Sequence, residues 1–118
     1  MTAAPARTLP KLWSLIFNGR NSVWLVVTPV LLALADFWTT LIFQSPRYWA
    51  GQYHLAIDAN PAALLALQIH PVAFAAIGIL TCVGWGYAIL RLPRGWAIDI
   101  ALFASIGHAV CVVGWYVR

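Results

Sequence analysis

Two residues with reactive side chains stand inside long apolar runs: Asp36 in VLLALADFWTTLIF (30–43) and His108 in ASIGHAVCVVGW (104–115). An ionised group alone at the centre of a hydrocarbon-spanning segment costs about 3 kcal/mol on insertion scales, so such residues are expected to be paired or functional. A carboxylate and an imidazole can share a proton, hold an ion, or orient a ring nitrogen toward a cofactor. A hydrogen-bonded Asp36–His108 pair would also remove most of the cost each bears alone, and so could simply fix helix register. Thr40, one turn beyond Asp36, and Ser105, three residues before His108, could complete a network. Asp58, Asn60 and His70 form a second polar group that predicts a pocket opening at one membrane face. His70 also precedes Pro71, where a helix-end residue facing water is the plain expectation.

Other chemistry is thinly represented. The chain has no Glu, no phosphate-binding glycine loop, no G-x-S-x-G and no H-E-x-x-H. Its His and Asp residues show no i, i+4 His pair, and there is no Cys-x-x-Cys, so no metal site is expected. Cys82 and Cys111 fall at unequal depths, which argues against a disulfide. A bis-His haem between His70 and His108 would need similar depths, and helical rise separates them by ~10 Å. With no nucleophile–base pair in view, the chain is not expected to be an enzyme.

The elements that must position these residues follow from composition. Of 118 residues 63% are hydrophobic, and ten charged side chains stand against seven Trp. A soluble domain of this size cannot bury so much apolar surface. The expected fold is an all-α integral membrane protein with three transmembrane helices, at about 21–43, 71–91 and 96–117. An N-terminal interfacial amphipathic helix is expected in LPKLWSLIFNGR (9–20), and a short outer helix at 61–70. Asn60-Pro61 is a cap followed by a first-turn proline, and Pro71 should divide the run that would otherwise be one ~47 Å helix. The segment 44–60 reads as a polar, aromatic outer loop, and the whole chain as a single membrane domain. Arg7, Lys11, Arg20, Arg91 and Arg94 flank one side of the spans, and Arg47 and Arg118 the other. That imbalance places the N-terminus in the cytoplasm and the C-terminus in the periplasm of a bacterial inner membrane. The net charge of +4 is thus topological and does not point to nucleic acid.

Depth counting connects the two reactive residues. Asp36 lies about 15 residues into the first span, or ~22 Å, and His108 about 13 residues into the third, or ~20 Å. The two spans run parallel, so the side chains can meet if the spans are neighbours. Gly78, Cys82 and Gly86 form a small-residue stripe on the second span, and Gly107 with Cys111 another on the third. Such stripes let helices approach closely, within the chain or against another subunit.

Ala35-Asp36 with Thr39 and Thr40, then Asp58-Ala59-Asn60-Pro61, then the basic turn from Arg91 to Arg94 resemble a family of small, uncharacterised prokaryotic three-span membrane proteins. That pattern covers about residues 30–118. The family usually carries Glu where this chain has Asp58, and a second-span Lys that is missing near 77–80, which leaves His108 to partner the first acid. The resemblance implies an architecture and no activity. The N-terminal half is also similar to the α-type light-harvesting antenna polypeptides of purple bacteria, through KLWSLIFNGR (11–20) and YWAGQ (48–52). In that alignment Asp36 falls about where a pigment-ligating His would be. ASIGHAVCVVGW has the antenna-style small residue four before a His, with a Trp downstream.

The function expected is therefore a non-enzymatic accessory or structural subunit of a larger inner-membrane complex. The antenna resemblance implies a photosynthetic reaction-centre or antenna complex as its host. Its partners would be the lipid bilayer and other membrane-protein subunits. The alternative is a cofactor-binding membrane protein with His108 as axial ligand to bacteriochlorophyll or haem, or with a carotenoid bound nearby. A third is a small transporter or proton-relay component with Asp36 as the titrating group.

Overall fold

The structure is a computed structural model and describes residues 23–118; the expected interfacial helix at 9–20 lies outside the described residues. Three long helices dominate: α1 (Trp24–Ile42), α4 (Pro71–Arg91) and α5 (Arg94–Tyr116). Each is long and apolar enough to cross a membrane, with a mean hydropathy of 1.9. Among the described residues there is no strand.

Proline punctuation explains most of the boundaries. Ser45-Pro46, Asn60-Pro61 and His70-Pro71 each open a helix, with proline in the first turn, where its missing N–H is not needed. The residue before each proline caps it. Ser45 Oγ accepts from Tyr48 N at 3.2 Å, Asn60 Oδ1 from Ala62 N at 3.0 Å and His70 Nδ1 from Val72 N at 3.0 Å. His70 is extended, as pre-proline sterics favour, and separates α3 (Pro61–Ile69) from α4 as a single-residue joint. At the other end Leu92 is also extended before Pro93. α5 therefore restarts at Arg94, two residues earlier than the predicted start at 96. Pro29 lies inside α1, buried, with the helix continuing across it.

The segment 44–60 holds more structure than a bare connection. It contains α2 (Pro46–Trp49), a left-handed Gly51 at φ 106° and a 3-10 turn at Tyr53–Leu55. Gln44 clamps its far end: its amide donates to Ile57 O at 2.8 Å and its carbonyl accepts from Ile57 N at 2.8 Å. Tyr48, fully buried, donates to Leu67 O at 2.8 Å. That carbonyl has no backbone donor four residues on, because α3 has ended and residue 71 is proline.

α1 is the central helix and packs against both α4 and α5. Its buried residues Pro29, Ala33, Asp36 and Thr40 recur at intervals of four, three and four, one face of a helix. α5 answers with Ala97, Ala101, Ala104 and Trp115, and His108 falls on the same line. α4 runs antiparallel to α1, with Gly78 against Phe37 and Gly86 against Val26. One apolar cluster (Ile89, Ala97, Ala101) closes the end near the Leu92-Pro93 turn, and a second (Tyr48, Ala66, Leu67, Phe74) closes the loop end. The outward faces carry large exposed apolar residues such as Trp38, Leu80, Phe103 and Ile106.

Candidate functional site

Between the two clusters the α1–α5 seam changes character. Small residues at Ala33, Ala101 and Ala104 bring the helices close, and the next positions along the seam are Asp36 and His108. His108 Nδ1 lies 2.7 Å from Asp36 Oδ2, and both side chains retain only slight exposure. From α4, Trp85 Nε1 reaches His108 Nε2 at 3.2 Å. An indole nitrogen can only donate, so Nε2 must be the bare nitrogen and the ring proton sits on Nδ1. The chain of donors therefore runs Trp85 to His108 to Asp36, with a neutral imidazole and an accepting carboxylate. Phe37 packs edge-on against His108 at 5.5 Å and against Phe74 at 5.8 Å, walling one side of the pair.

A second polar contact stands one step further along the seam. Thr40 Oγ accepts from Trp115 Nε1 at 3.1 Å and donates to Asp36 O at 2.9 Å. Thr40 thus supports the pair through the α1 backbone and not through the carboxylate, as the sequence had led us to expect. Ser105 is half-buried, and no hydrogen bond joins it to the pair; Trp85 occupies the role foreseen for it. Asp99 is exposed and forms no ion pair with Arg94.

Beyond the Trp85–His108 bond a groove of about 730 Å³ opens between α4 and α5, with α1 as its back wall. Asp36, His108 and Trp85 form its polar floor, and Phe37, Phe74, Ile77 and Phe103 line its sides. Asp58, Asn60 and Arg118 stand at its mouth. Arg118 lies over the Trp115 ring, 4.0 Å from its centroid, and Phe43 stacks on the same indole at 5.6 Å. Burial pushes the Asp58 carboxyl above its ordinary range, and the Asp36 charge pushes the same way, while the Asn60 backbone N–H and Arg118 oppose them.

The predicted polar group thus divides. Asp58 and Asn60 join Asp36 and His108 around one groove, whereas His70 is exposed, caps α4 and packs edge-on against Tyr53 at 5.0 Å. The two small-residue stripes divide as well. Gly78 and Gly86 pack on α1, and Cys82 lies half-buried between them. A Cβ built on Gly107 or Gly114 would meet nothing within 4 Å, and both glycines face the groove with Cys111. Both cysteines are free, and the described residues contain no cluster able to hold a metal ion.

Trp85 was missed from sequence because an indole in an apolar helix reads as bulk. Its signal was register: Phe74, Gly78, Trp85 and Ile89 fall on one face of α4. Compared with known protein families, with curated proteins and with solved structures, the chain matches none of them.

Proposed function

We propose that this chain is a non-enzymatic multi-pass membrane protein that holds a small amphiphilic guest in the groove between α4 and α5. The observation that carries this reading is the form of the groove. At about 730 Å³ it falls in the range of small-molecule sites, and its apolar and aromatic walls converge on a few fixed polar groups. The exposed apolar faces of the three long helices would meet lipid. The distribution of Arg and Lys orients the turn end toward the cytoplasm and the groove mouth outward, in a bacterial inner membrane.

The arrangement around His108 favours binding over chemistry. Both ring nitrogens are engaged, Nδ1 by Asp36 and Nε2 by Trp85. An axial bond to haem or chlorophyll does not fit that ring, and no hydroxyl or thiol stands in place of the indole as a nucleophile. A partner helix in the groove, as in an accessory subunit of a larger complex, is the second reading. It is favoured by Gly107 and Gly114, whose faces stand open.

Gly107→Leu tests both readings, since the new side chain enters open space and should leave the fold intact. Protein purified gently from membranes is extracted, and its retained molecules are identified by mass spectrometry and an absorption spectrum. A small amphiphile present in the parent and lost in the variant supports the guest reading. A stoichiometric polypeptide lost in the same way supports the subunit reading, and identical contents in both proteins refute both.

A further inference from the structure

We infer that the guest is a monovalent organic cation with an apolar body, its charged nitrogen set against Asp36. This inference rests on reading the groove as a small-molecule site. The acidic and basic side chains that line the groove are Asp36, Asp58, His108 and Arg118. Trp85 fixes His108 as neutral, because a donor pointed at Nε2 leaves no place for a second ring proton. Among the described side chains that line the groove, two carboxylates then face one guanidinium, a net of one negative charge.

The placement of these groups sharpens the inference. Arg118 is held over Trp115 at the mouth, close enough to Asp58 to lower its pKa, so the charge at the rim is largely balanced. The uncompensated carboxylate is Asp36, at the floor. Asp36 is 8% exposed, and only its Oδ2 takes a side-chain donor, the neutral His108 Nδ1–H. Its Oδ1 takes no donor among the described residues and is left to accept from whatever enters. A buried carboxylate short of one donor is costly, and a guest N–H⁺ would supply both the donor and the countercharge. Aromatic rings line the same space, Phe37, Phe74 and Trp85 among them, surroundings suited to an alkylammonium or arylammonium group. An anion would have to approach two carboxylates, and a neutral guest would leave Asp36 uncompensated.

Three probes with one chain and different heads separate the possibilities: decylammonium, decanol and decanoate, titrated calorimetrically into the full-length protein in a non-ionic detergent. Decylammonium is expected to bind saturably at one site, decanol about tenfold or more weakly, and decanoate not measurably. Asp36→Asn should bring decylammonium down to about the affinity that the parent shows for decanol. Asp58→Asn, at the rim, should weaken decylammonium by a smaller factor, and it tests the charge assignment should Asp36→Asn fail to fold. Equal binding of all three probes to the parent, or decylammonium binding unmoved in either folded variant, overturns the cation assignment while sparing the groove as a site. If no probe saturates, the small-molecule reading itself falls.

Discussion

Tyr48→Phe isolates one hydroxyl whose role follows from the chain's punctuation. α3 ends at Ile69, His70 is extended and residue 71 is proline, so the Leu67 carbonyl has no backbone donor to take. Tyr48 Oη donates to it at 2.8 Å, and both residues are fully buried. The phenyl ring of the variant fills the same space, so packing is retained and only the donor is lost. Removing a donor so that a buried acceptor is left without a partner costs about 1–3 kcal/mol, and a destabilisation of that size is expected. Unfolding by denaturing detergent, followed by circular dichroism in mixed micelles, would measure it. Tyr53→Phe is the matched control, because Tyr53 lies in the same cluster and its hydroxyl makes no hydrogen bond among the described residues. A Tyr48→Phe protein within about 0.5 kcal/mol of the parent would refute the orphan-carbonyl reasoning, since changes that small are ordinary for surface substitutions.

Three further outcomes are expected. Nitrogen NMR of ring-labelled His108 should report a protonated Nδ1 and a bare Nε2; a protonated Nε2 would contradict the donor chain from Trp85. Gly78→Ala places a Cβ 2.9 Å from Phe37 Cδ2, a ring already held by Phe74 and His108, and should destabilise by about 1–3 kcal/mol. A neutral effect would mean that Phe37 is free to move. Because burial raises the Asp58 pKa above its unfolded value, its proton favours the folded state: that contribution is complete below the unfolded value and lost as pH rises through the folded one. Asp58→Asn keeps an acceptor for the Asn60 N–H and should therefore be more stable than the parent at neutral pH. The difference should close on acidification through the raised folded value toward the unfolded one, and a pH-independent difference would argue against it.

The pairing of Asp36 with His108 was legible because depth along parallel spans is simple counting, and two polar groups at one depth seek each other. Rotation about each helix axis was not available in the same way. Whether Trp85 or Ser105 faced the imidazole depended on how α4 and α5 turn, and that is decided by where Gly78, Ala101 and Ala104 permit contact. The Thr40–Trp115 contact escaped for a related reason. Trp115 lies seven residues beyond His108 and Thr40 only four beyond Asp36, so rise alone separates them. Helical side chains lean toward the N-terminus, and a long indole leans far enough to close the gap. The proline boundaries were readable because Pro61 and Pro71 carry their own stereochemistry, and the Gln44–Ile57 clamp was not, since it joins residues 13 apart through a loop with no period.

The sequence separation of Asp36 and His108 also has a consequence in time. The two residues are 72 positions apart, and ribosomes add about 5–20 residues each second, so the first span is complete several seconds before its partner exists. In the bilayer reading proposed above, α1 would have to leave the insertion machinery with Asp36 still lacking its partner, or wait beside it until α5 emerges. The short Leu92-Pro93 turn lets α4 and α5 enter as one hairpin, so Trp85 and His108 would reach the carboxylate together. Biogenesis would then have its slow commitment at the last span, and a chain truncated before His108 would be left as a substrate for membrane quality control.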